Sequence, residues 1–123
     1  MIEIISVGPG EAALLTDDAK QAIARADAVW CAARHAVLVS PEKIRPLSPL
    51  EEAIEQMRAS SNAGQNAAVL VSGDAGLYSL LEMLKRKVGG EGLRVHPGVS
   101  ALQLFAARLG VSWQSAKILS AHG

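Results

Sequence analysis

Cysteine and aromatic residues are scarce in this chain. Its 123 residues include one cysteine, Cys31, one phenylalanine, one tyrosine and two tryptophans. A single cysteine excludes an internal disulfide, and no cysteine and histidine spacing suggests a metal site, so we expect no metal and a reducing, cytoplasmic location. Half of the residues are apolar. The core must therefore be aliphatic and rich in alanine, as is usual where helices pack closely on a parallel sheet.

An excess of charge of either sign is also absent. Twelve lysine and arginine residues balance twelve aspartate and glutamate residues, which gives no support to nucleic acid or a membrane surface as a partner. The N-terminal segment has neither a basic leader nor a long apolar run, so the sequence predicts no signal peptide and no membrane span. A chain of this length fits one domain.

Short apolar strands alternate along the chain with amphipathic helices. The predicted strands are Ile2–Val7, Ala28–Cys31, Ile44–Leu47, Ala67–Val71, Leu93–His96 and Lys117–Ser120. The predicted helices are one that follows the N-cap Thr16, and others over Arg34–Val39, Leu50–Ser60, Gly76–Val88 and Ser100–Leu109. This alternation predicts an α/β fold, a three-layer sandwich in which a mostly parallel sheet has helices on both faces.

Two glycine loops each join an apolar strand to a predicted helix. Ala67–Val71 leads into S-G-D-A-G-L-Y at Ser72–Tyr78, and Leu93–His96 leads into P-G-V-S-A at Pro97–Ala101. Such turns place bare backbone, N–H groups and helix N-termini at one edge of the sheet, where open α/β folds bind their ligands. The sequence therefore predicts a small-molecule site at this edge.

Most single residues in these loops also have an ordinary structural interpretation. Asp74 can accept hydrogen bonds from loop N–H groups and cap the helix that follows, and Ser100 is a natural N-cap.

His35, His96 and His122 have no carboxylate or nucleophile at a recognisable spacing, so we assign them no catalytic role. Trp113 is expected to pack at the edge of the domain.

The loop after the first strand also matches a dinucleotide-binding pattern. Gly8-Pro9-Gly10 with Ala13 satisfies G-x-G-x-x-A. That pattern normally needs an acidic residue at the end of the second strand, and the segment after Cys31 has none. Pro9 also lacks an N–H donor. A nicotinamide cofactor is therefore disfavoured, and a non-catalytic Rossmann-like nucleotide-binding or dimerisation module remains an alternative.

The order of these segments resembles that of the tetrapyrrole methylases. V-G-P-G at Val7–Gly10 and L-L-T at Leu14–Thr16 are followed by the two loops at Ser72–Tyr78 and Pro97–Ala101. Members of this family transfer a methyl group from S-adenosyl-L-methionine to a corrin or porphyrin precursor. The resemblance implies a cofactor site, with no catalytic residue identified, that contains Pro9, Gly73, Asp74, Leu77, Ser100 and Ala101.

The C-terminal segment narrows the resemblance. Ala106–Gly123 looks like the branch that methylates precorrin-6Y or cobalt-precorrin-7 at C5 during cobalamin biosynthesis. This branch implies a precorrin or cobalt-precorrin substrate, a homodimer, and a decarboxylating C15-methyltransferase as a partner or fusion. Other acceptors, such as uroporphyrinogen, another precorrin, a protein or an RNA, remain alternatives.

The resemblance extends over nearly the whole chain but covers only the first of the family's two domains. We therefore expect residues 1–123 to be an N-terminal α/β domain, with the C-terminal domain absent and with weak cofactor binding and no turnover on its own. The chain departs from the family pattern in its first loop, which is shorter and has Glu11-Ala12 for Asp-Pro, and at Ala75, which replaces a proline. These changes alter the contacts near Pro9 and make the second loop less rigid.

Overall fold

Five strands and four α-helices alternate along the chain in the computed structural model, which describes residues 1–77 and 79–119. The strands are β1 (Ile2–Ser6), β2 (Ala28–Cys31), β3 (Ile44–Pro46), β4 (Ala67–Val71) and β5 (Leu93–His96). The helices are α1 (Asp17–Arg25), α2 (Leu50–Asn62), α3 (Leu81–Val88) and α4 (Ala101–Leu109). The predicted α/β alternation is confirmed for these elements.

All five strands run parallel in one sheet of order β3-β2-β4-β1-β5. β1 lies between β4 and β5, and Ile4 pairs with Val69 on one side and with Val95 on the other. Every residue of β1 and β4 is buried. The ends of β1, β4 and β5 therefore lie side by side at the carboxyl edge of the sheet, where the loops with functional patterns begin.

Helices cover both faces of the sheet, as the alternation predicts. On one face, Ile54 of α2 and Leu84 of α3 pack in one cluster with Ile4. On the other face, Ile23 of α1 packs with Ile5. Because successive strand side chains point to opposite faces, neighbouring residues of β1 serve two separate cores. The three-layer architecture is confirmed.

The start of α1 follows the capping rules read from the sequence. The Thr16 hydroxyl accepts a hydrogen bond from the Ala19 N–H at 3.0 Å, and Asp17 and Asp18 occupy the first turn. Carboxylates there complement the positive end of the helix dipole. Ala19 is fully buried, so the small side chain lets the helix approach the sheet closely.

α3 begins later than predicted. The sequence places its start at Gly76, whereas the helix begins at Leu81 and has no side-chain cap. Asp74, predicted to cap it, instead accepts hydrogen bonds from the N–H groups of Gly76 and Gly98. The described residues between Asp74 and Leu81 lie in turns and bends. The predicted hydrogen bonds from loop N–H groups to Asp74 are confirmed, whereas the prediction of Asp74 as a helix cap is wrong.

The predicted last strand is also wrong over its described part. Lys117–Leu119 belong to no strand, and Ser120 lies outside the described residues, as do Tyr78 and His122. Leu119 is 78% exposed, so the burial that would stabilise a short strand against the sheet is missing. Smaller differences are confined to element ends: β1 stops at Ser6, β3 at Pro46, α2 continues to Asn62, and the predicted helix over 34–39 is a 3-10 helix at Ala33–Leu38.

Exposed apolar side chains occur on α4 and in the segment that follows it. Phe105 is 64% exposed, Leu109 59% and Trp113 43%. Trp113, which was predicted to pack at the edge of the domain, is only partly covered. Among the described residues, no helix has both the length and the apolar character needed to span a membrane.

Candidate functional site

The loops after β1 and β4 are joined by their backbones. The Gly8 N–H donates to the Gly73 carbonyl at 3.1 Å, and the Gly73 N–H donates to the Gly8 carbonyl at 2.8 Å. Both glycines have positive φ angles, of 61° and 68°, a conformation that other L-residues adopt only with strain. Because glycine adopts positive φ angles without strain, the two loops can pair through the backbones of Gly8 and Gly73.

The loop after β5 approaches the same point. A Cβ atom at Gly98 would lie 2.8 Å from the Gly73 carbonyl oxygen and 2.8 Å from the Ser6 Cβ atom. No side chain fits in that space without moving backbone. Gly98 is thus required by close contact between three loops.

Asp74 connects two of these loops. Its Oδ1 atom accepts a hydrogen bond from the Gly98 N–H at 2.9 Å, and its Oδ2 atom accepts one from the Gly76 N–H at 2.8 Å. The buried Ser6 hydroxyl accepts a third loop bond, from the Ala75 N–H at 2.8 Å. Both carboxylate oxygens are engaged by the protein, so Asp74 shapes the site by positioning the backbone.

Ser100 is the N-cap of α4, as predicted. Its hydroxyl accepts a hydrogen bond from the Gln103 N–H at 3.1 Å, and the Gln103 side chain accepts one from the Ser100 N–H at 2.8 Å. This reciprocal pair is a capping box. With Ser100 only 5% exposed, most of its polar capacity is used in holding the start of the helix.

The structure brings the six predicted cofactor residues to one edge of the sheet. They occupy the three joined loops and the first turn of α4. Their exposure differs: Pro9 and Ala101 are exposed, Gly73, Asp74 and Leu77 are partly buried, and Ser100 is buried. Contact between these residues and a cofactor stays a prediction.

A large cavity opens beside these loops, at the carboxyl ends of β2, β3 and β4. Its volume is about 1070 Å³, and most of its lining is apolar. None of the six predicted cofactor residues lines it, but Ser72, the neighbour of Gly73, does. No sequence pattern indicated this cavity because much of its wall comes from the irregular, proline-containing segments after β2 and β3.

A small polar cluster lies in the wall of the cavity. An Arg34 N–H donates to the Ser72 hydroxyl at 2.9 Å, and Ser72 Oγ lies 3.3 Å from His35 Nε2. His35 is 3% exposed, and its Nδ1 atom has no partner among the described residues. Burial, reinforced by the Arg34 charge, lowers the pKa of His35, so the imidazole is neutral near pH 7.

A second polar cluster fixes β5 from below the loops. His96 Nε2 lies 3.1 Å from a Glu3 carboxylate oxygen, and His96 Nδ1 lies 2.5 Å from Asp18. Arg25 donates to the same Glu3 oxygen at 2.7 Å, and Arg94 lies 3.8 Å from it. Both ring nitrogens of His96 thus lie within hydrogen-bonding distance of carboxylate oxygens. Local sequence patterns did not indicate this cluster because its members are far apart along the chain.

The pKa values of both carboxyl groups respond to this arrangement. Burial raises the pKa of Glu3, but the hydrogen bonds from Arg25 and His96 outweigh it, and the net pKa is lowered. The hydrogen bond from His96 lowers the pKa of Asp18. Within the described residues, no group of histidine, cysteine and acidic side chains is arranged to hold a metal ion.

Comparison with known proteins defines the class to which this fold and site belong. The profile of the family described as Tetrapyrrole (Corrin/Porphyrin) Methylases matches residues 1–123. The chain belongs to this family.

Individual relatives are narrower in their names. The chain is 34% identical, over 126 residues, to the precorrin-6Y C(5,15)-methyltransferase [decarboxylating] of Sinorhizobium sp., covering 99% of this chain and 30% of that protein. It is 29% identical to the cobalt-precorrin-7 C(5)-methyltransferase of Salmonella typhimurium, covering 100% of this chain and 62% of that protein. The crystal structure of precorrin-6Y methylase from Archaeoglobus fulgidus shares the fold, with a TM-score of 0.81, 24% identity, and coverage of 99% of this chain and 65% of that one. This chain therefore spans less than two thirds of each of these relatives.

Proposed function

We propose that this chain is the N-terminal α/β domain of an S-adenosyl-L-methionine-dependent methyltransferase that methylates C5 of precorrin-6Y or cobalt-precorrin-7 in cobalamin biosynthesis. The observation that carries the proposal is the junction of the three loops after β1, β4 and β5, in a chain whose relatives bear these names. The carboxyl edge of a parallel sheet, at a strand flanked on both sides, is where open α/β folds bind ligands.

The residues at this junction suit a cofactor that lies against backbone. Among the described residues, a Cβ atom at Gly73 would have one neighbour within 4 Å, the Ser100 Cα atom at 3.8 Å, so these residues leave open space beside the glycine. Exposed Pro9 and Ala101 and partly buried Leu77 offer small or apolar contacts around it. We assign these residues, with Gly73 and Ser100, to the cofactor site, and we assign Asp74 to positioning the loops.

The proposed methyl transfer depends more on the alignment of donor and acceptor than on acid–base catalysis. The sulfonium group of the cofactor supplies a methyl group that is already activated, and a reduced tetrapyrrole carbon is electron-rich. Proximity and orientation contribute roughly 7 to 11 kcal/mol in favourable cases. The hydrogen bonds of Gly8, Gly73 and Asp74 restrain the loops before any ligand arrives, so the chain's own part is to hold a fixed surface.

A second domain would complete the site. Good small-molecule sites bury roughly 70 to 90% of their ligand, whereas one open sheet edge provides a single wall. The exposed apolar side chains of Phe105, Leu109 and Trp113 form the type of surface that is usually covered by other protein. We assign this surface to contact with the second domain, and a homodimer, a cytoplasmic location and a fused or separate C15-methyltransferase stay part of the proposal.

Calorimetry separates this function from a non-catalytic nucleotide-binding module. Residues 1–123 and the longer gene product are each titrated with S-adenosylhomocysteine and with NADH, and methyl transfer to the precorrin is measured. The proposal expects S-adenosylhomocysteine to bind the longer protein tightly and residues 1–123 weakly, with turnover only in the longer protein. Selective NADH binding, or equal activity of the two chains, would contradict it.

A further inference from the structure

The cavity beside the cofactor loops has the composition of a site for an anionic, largely apolar ligand. It is about 1070 Å³ in volume, at the upper end of the roughly 300 to 1,000 Å³ that ligand pockets occupy. Its walls are mostly apolar, and no acidic side chain lines it within the described part of the chain. Burial raises the pKa of the Cys31 thiol, so that group is uncharged as well.

Arg34 supplies the formal charge of this wall. It is exposed, and among the described residues it pairs with no carboxylate; its one hydrogen bond runs to Ser72. A guanidinium group has five N–H donors in a planar fork, which matches a carboxylate in two parallel hydrogen bonds. Most of these donors remain available to a ligand.

Ser72 and His35 hold the guanidinium group in place. The Ser72 hydroxyl accepts from Arg34 and can donate to His35 Nε2, because the neutral imidazole offers one nitrogen as an acceptor. His35 is buried, so the chain of bonds is anchored in the protein. Ser72 also precedes Gly73, which places this cluster one residue from the cofactor loop.

We propose that Arg34 recognises the acceptor: from the wall of this cavity it pairs with a peripheral carboxylate of the tetrapyrrole, whose macrocycle lies against the apolar walls. Ser72 and His35 are positioning residues for Arg34. This inference rests on the proposed methyltransferase function, which supplies the ligand class: a flat, apolar ring system that carries several carboxylate side chains. The cavity and the cofactor loops adjoin at Ser72 and Gly73. The methyl donor and the tetrapyrrole acceptor would therefore lie on either side of one loop.

Two stable corrins test the charge contact in the full-length protein. Cobyrinic acid carries free carboxylates, and dicyanocobinamide carries amides on the same ring system. Arg34→Ala should raise the Kd of cobyrinic acid about ten-fold or more, the loss expected for charge-assisted hydrogen bonds, while leaving the Kd of dicyanocobinamide unchanged. Arg86→Ala, which removes an exposed arginine of α3 outside the cavity lining, should change neither Kd.

Further variants separate positioning from charge. Arg34→Lys keeps the charge but loses the fork, and Ser72→Ala removes the anchor, so both should raise the KM for the precorrin with little change in kcat. The inference is overturned if the unchanged protein does not bind cobyrinic acid, if Arg34→Ala weakens both corrins equally, or if Arg86→Ala has the same effect. The affinity for S-adenosylhomocysteine is measured in parallel. If the unchanged protein does not bind S-adenosylhomocysteine, the proposed function is contradicted. If the unchanged protein and Arg86→Ala bind it but Arg34→Ala does not, the cavity belongs to the cofactor and the inference is overturned.

Discussion

Asp74 Oδ1 accepts a hydrogen bond from the Gly98 N–H at 2.9 Å, so one carboxylate fixes the loop after β4 to the loop after β5. Its other oxygen accepts from the Gly76 N–H within its own loop. The family resemblance suggested a residue that lines the cofactor pocket, and the structure gives the same residue a role in building it. Effects of changing Asp74 should therefore reach the ligand through the backbone.

Asp74→Asn should weaken cofactor binding in the full-length protein. An amide keeps the size but has a single acceptor oxygen, so the bond to Gly76 or to Gly98 is lost, at a cost of roughly 1 to 3 kcal/mol. Titration calorimetry with S-adenosylhomocysteine measures the loss of affinity. Glu91→Gln, at an exposed position away from the loops, is the matched control, and an equal effect in both variants would refute the role given to Asp74.

Gly98→Ala should destabilise the fold through a steric clash. The new methyl group would lie 2.8 Å from the Gly73 carbonyl oxygen, and such overpacking typically costs roughly 1 to 3 kcal/mol. Gly90→Ala is the control because no atom of the described residues lies within 4 Å of its Cβ position and its φ angle is not positive. Urea unfolding of the two variants should differ by this amount, and equal midpoints would show that the loop after β5 moves aside.

Gly73→Val should reduce S-adenosylhomocysteine affinity by filling the open space beside the backbone. Because Gly73 has a φ of 68°, a valine also strains the backbone there. Gly64→Val has the same type of strain, at a φ of 83°, and in the described part of the chain no atom lies within 4 Å of its Cβ position. Both variants should lose stability, but only Gly73→Val should lose cofactor affinity in the full-length protein, and unchanged affinity would remove Gly73 from the site.

Acid should destabilise the protein partly through Glu3 and Asp18. Their pKa values are lowered in the folded state from ordinary values of 4.5 and 3.8. The stability that they contribute is therefore complete above those ordinary values and is lost as the pH falls through the lower folded-state values. Urea unfolding between pH 7 and the acidic range should show a smaller acid loss for Asp18→Asn than for the unchanged protein. Glu82→Gln, in an exposed pair with Lys85, should leave the profile unchanged, and identical profiles for all three would contradict the prediction.

Phe105→Ser should distinguish a covered surface from an open one. In residues 1–123 the side chain is 64% exposed, so the change should alter the free energy of unfolding by no more than about 0.5 kcal/mol. In the full-length protein, where we propose that a second domain covers it, the loss should be clearly larger. Val37→Ser, at a position 85% exposed elsewhere, should be neutral in both. Neutrality of Phe105→Ser in the full-length protein would exclude this surface from the domain contact.

The sequence predicted the elements whose stabilising contacts are local or periodic. The strands Ala28–Cys31, Ala67–Val71 and Leu93–His96 have the predicted bounds, and the capping residues Thr16 and Ser100 act as predicted. Hydrophobic periodicity and capping are written in neighbouring residues, so a single sequence carries them.

Features that depend on distant contacts were not predictable in this way. Asp74 does not cap α3 because Gly98, on another loop, holds one of its oxygens. The partners of His96 come from the first strand and the first helix, and the cavity at Arg34 is shaped by loops without periodicity. Tertiary contacts decide these cases, and local patterns contain no record of them.

The contact between His96 and Glu3 has a consequence for the order of folding. It joins positions separated by 93 residues, and the contact between His96 and Asp18 joins positions separated by 78. Closing such long loops carries a large entropic cost that local helices do not bear. Among the strands of the described residues, β5 pairs with β1 alone, so we expect it to dock late, and its amide protons to exchange with solvent before those of β4. The loop after β5 should then be the last part of the ligand edge to reach its place and the first to leave it.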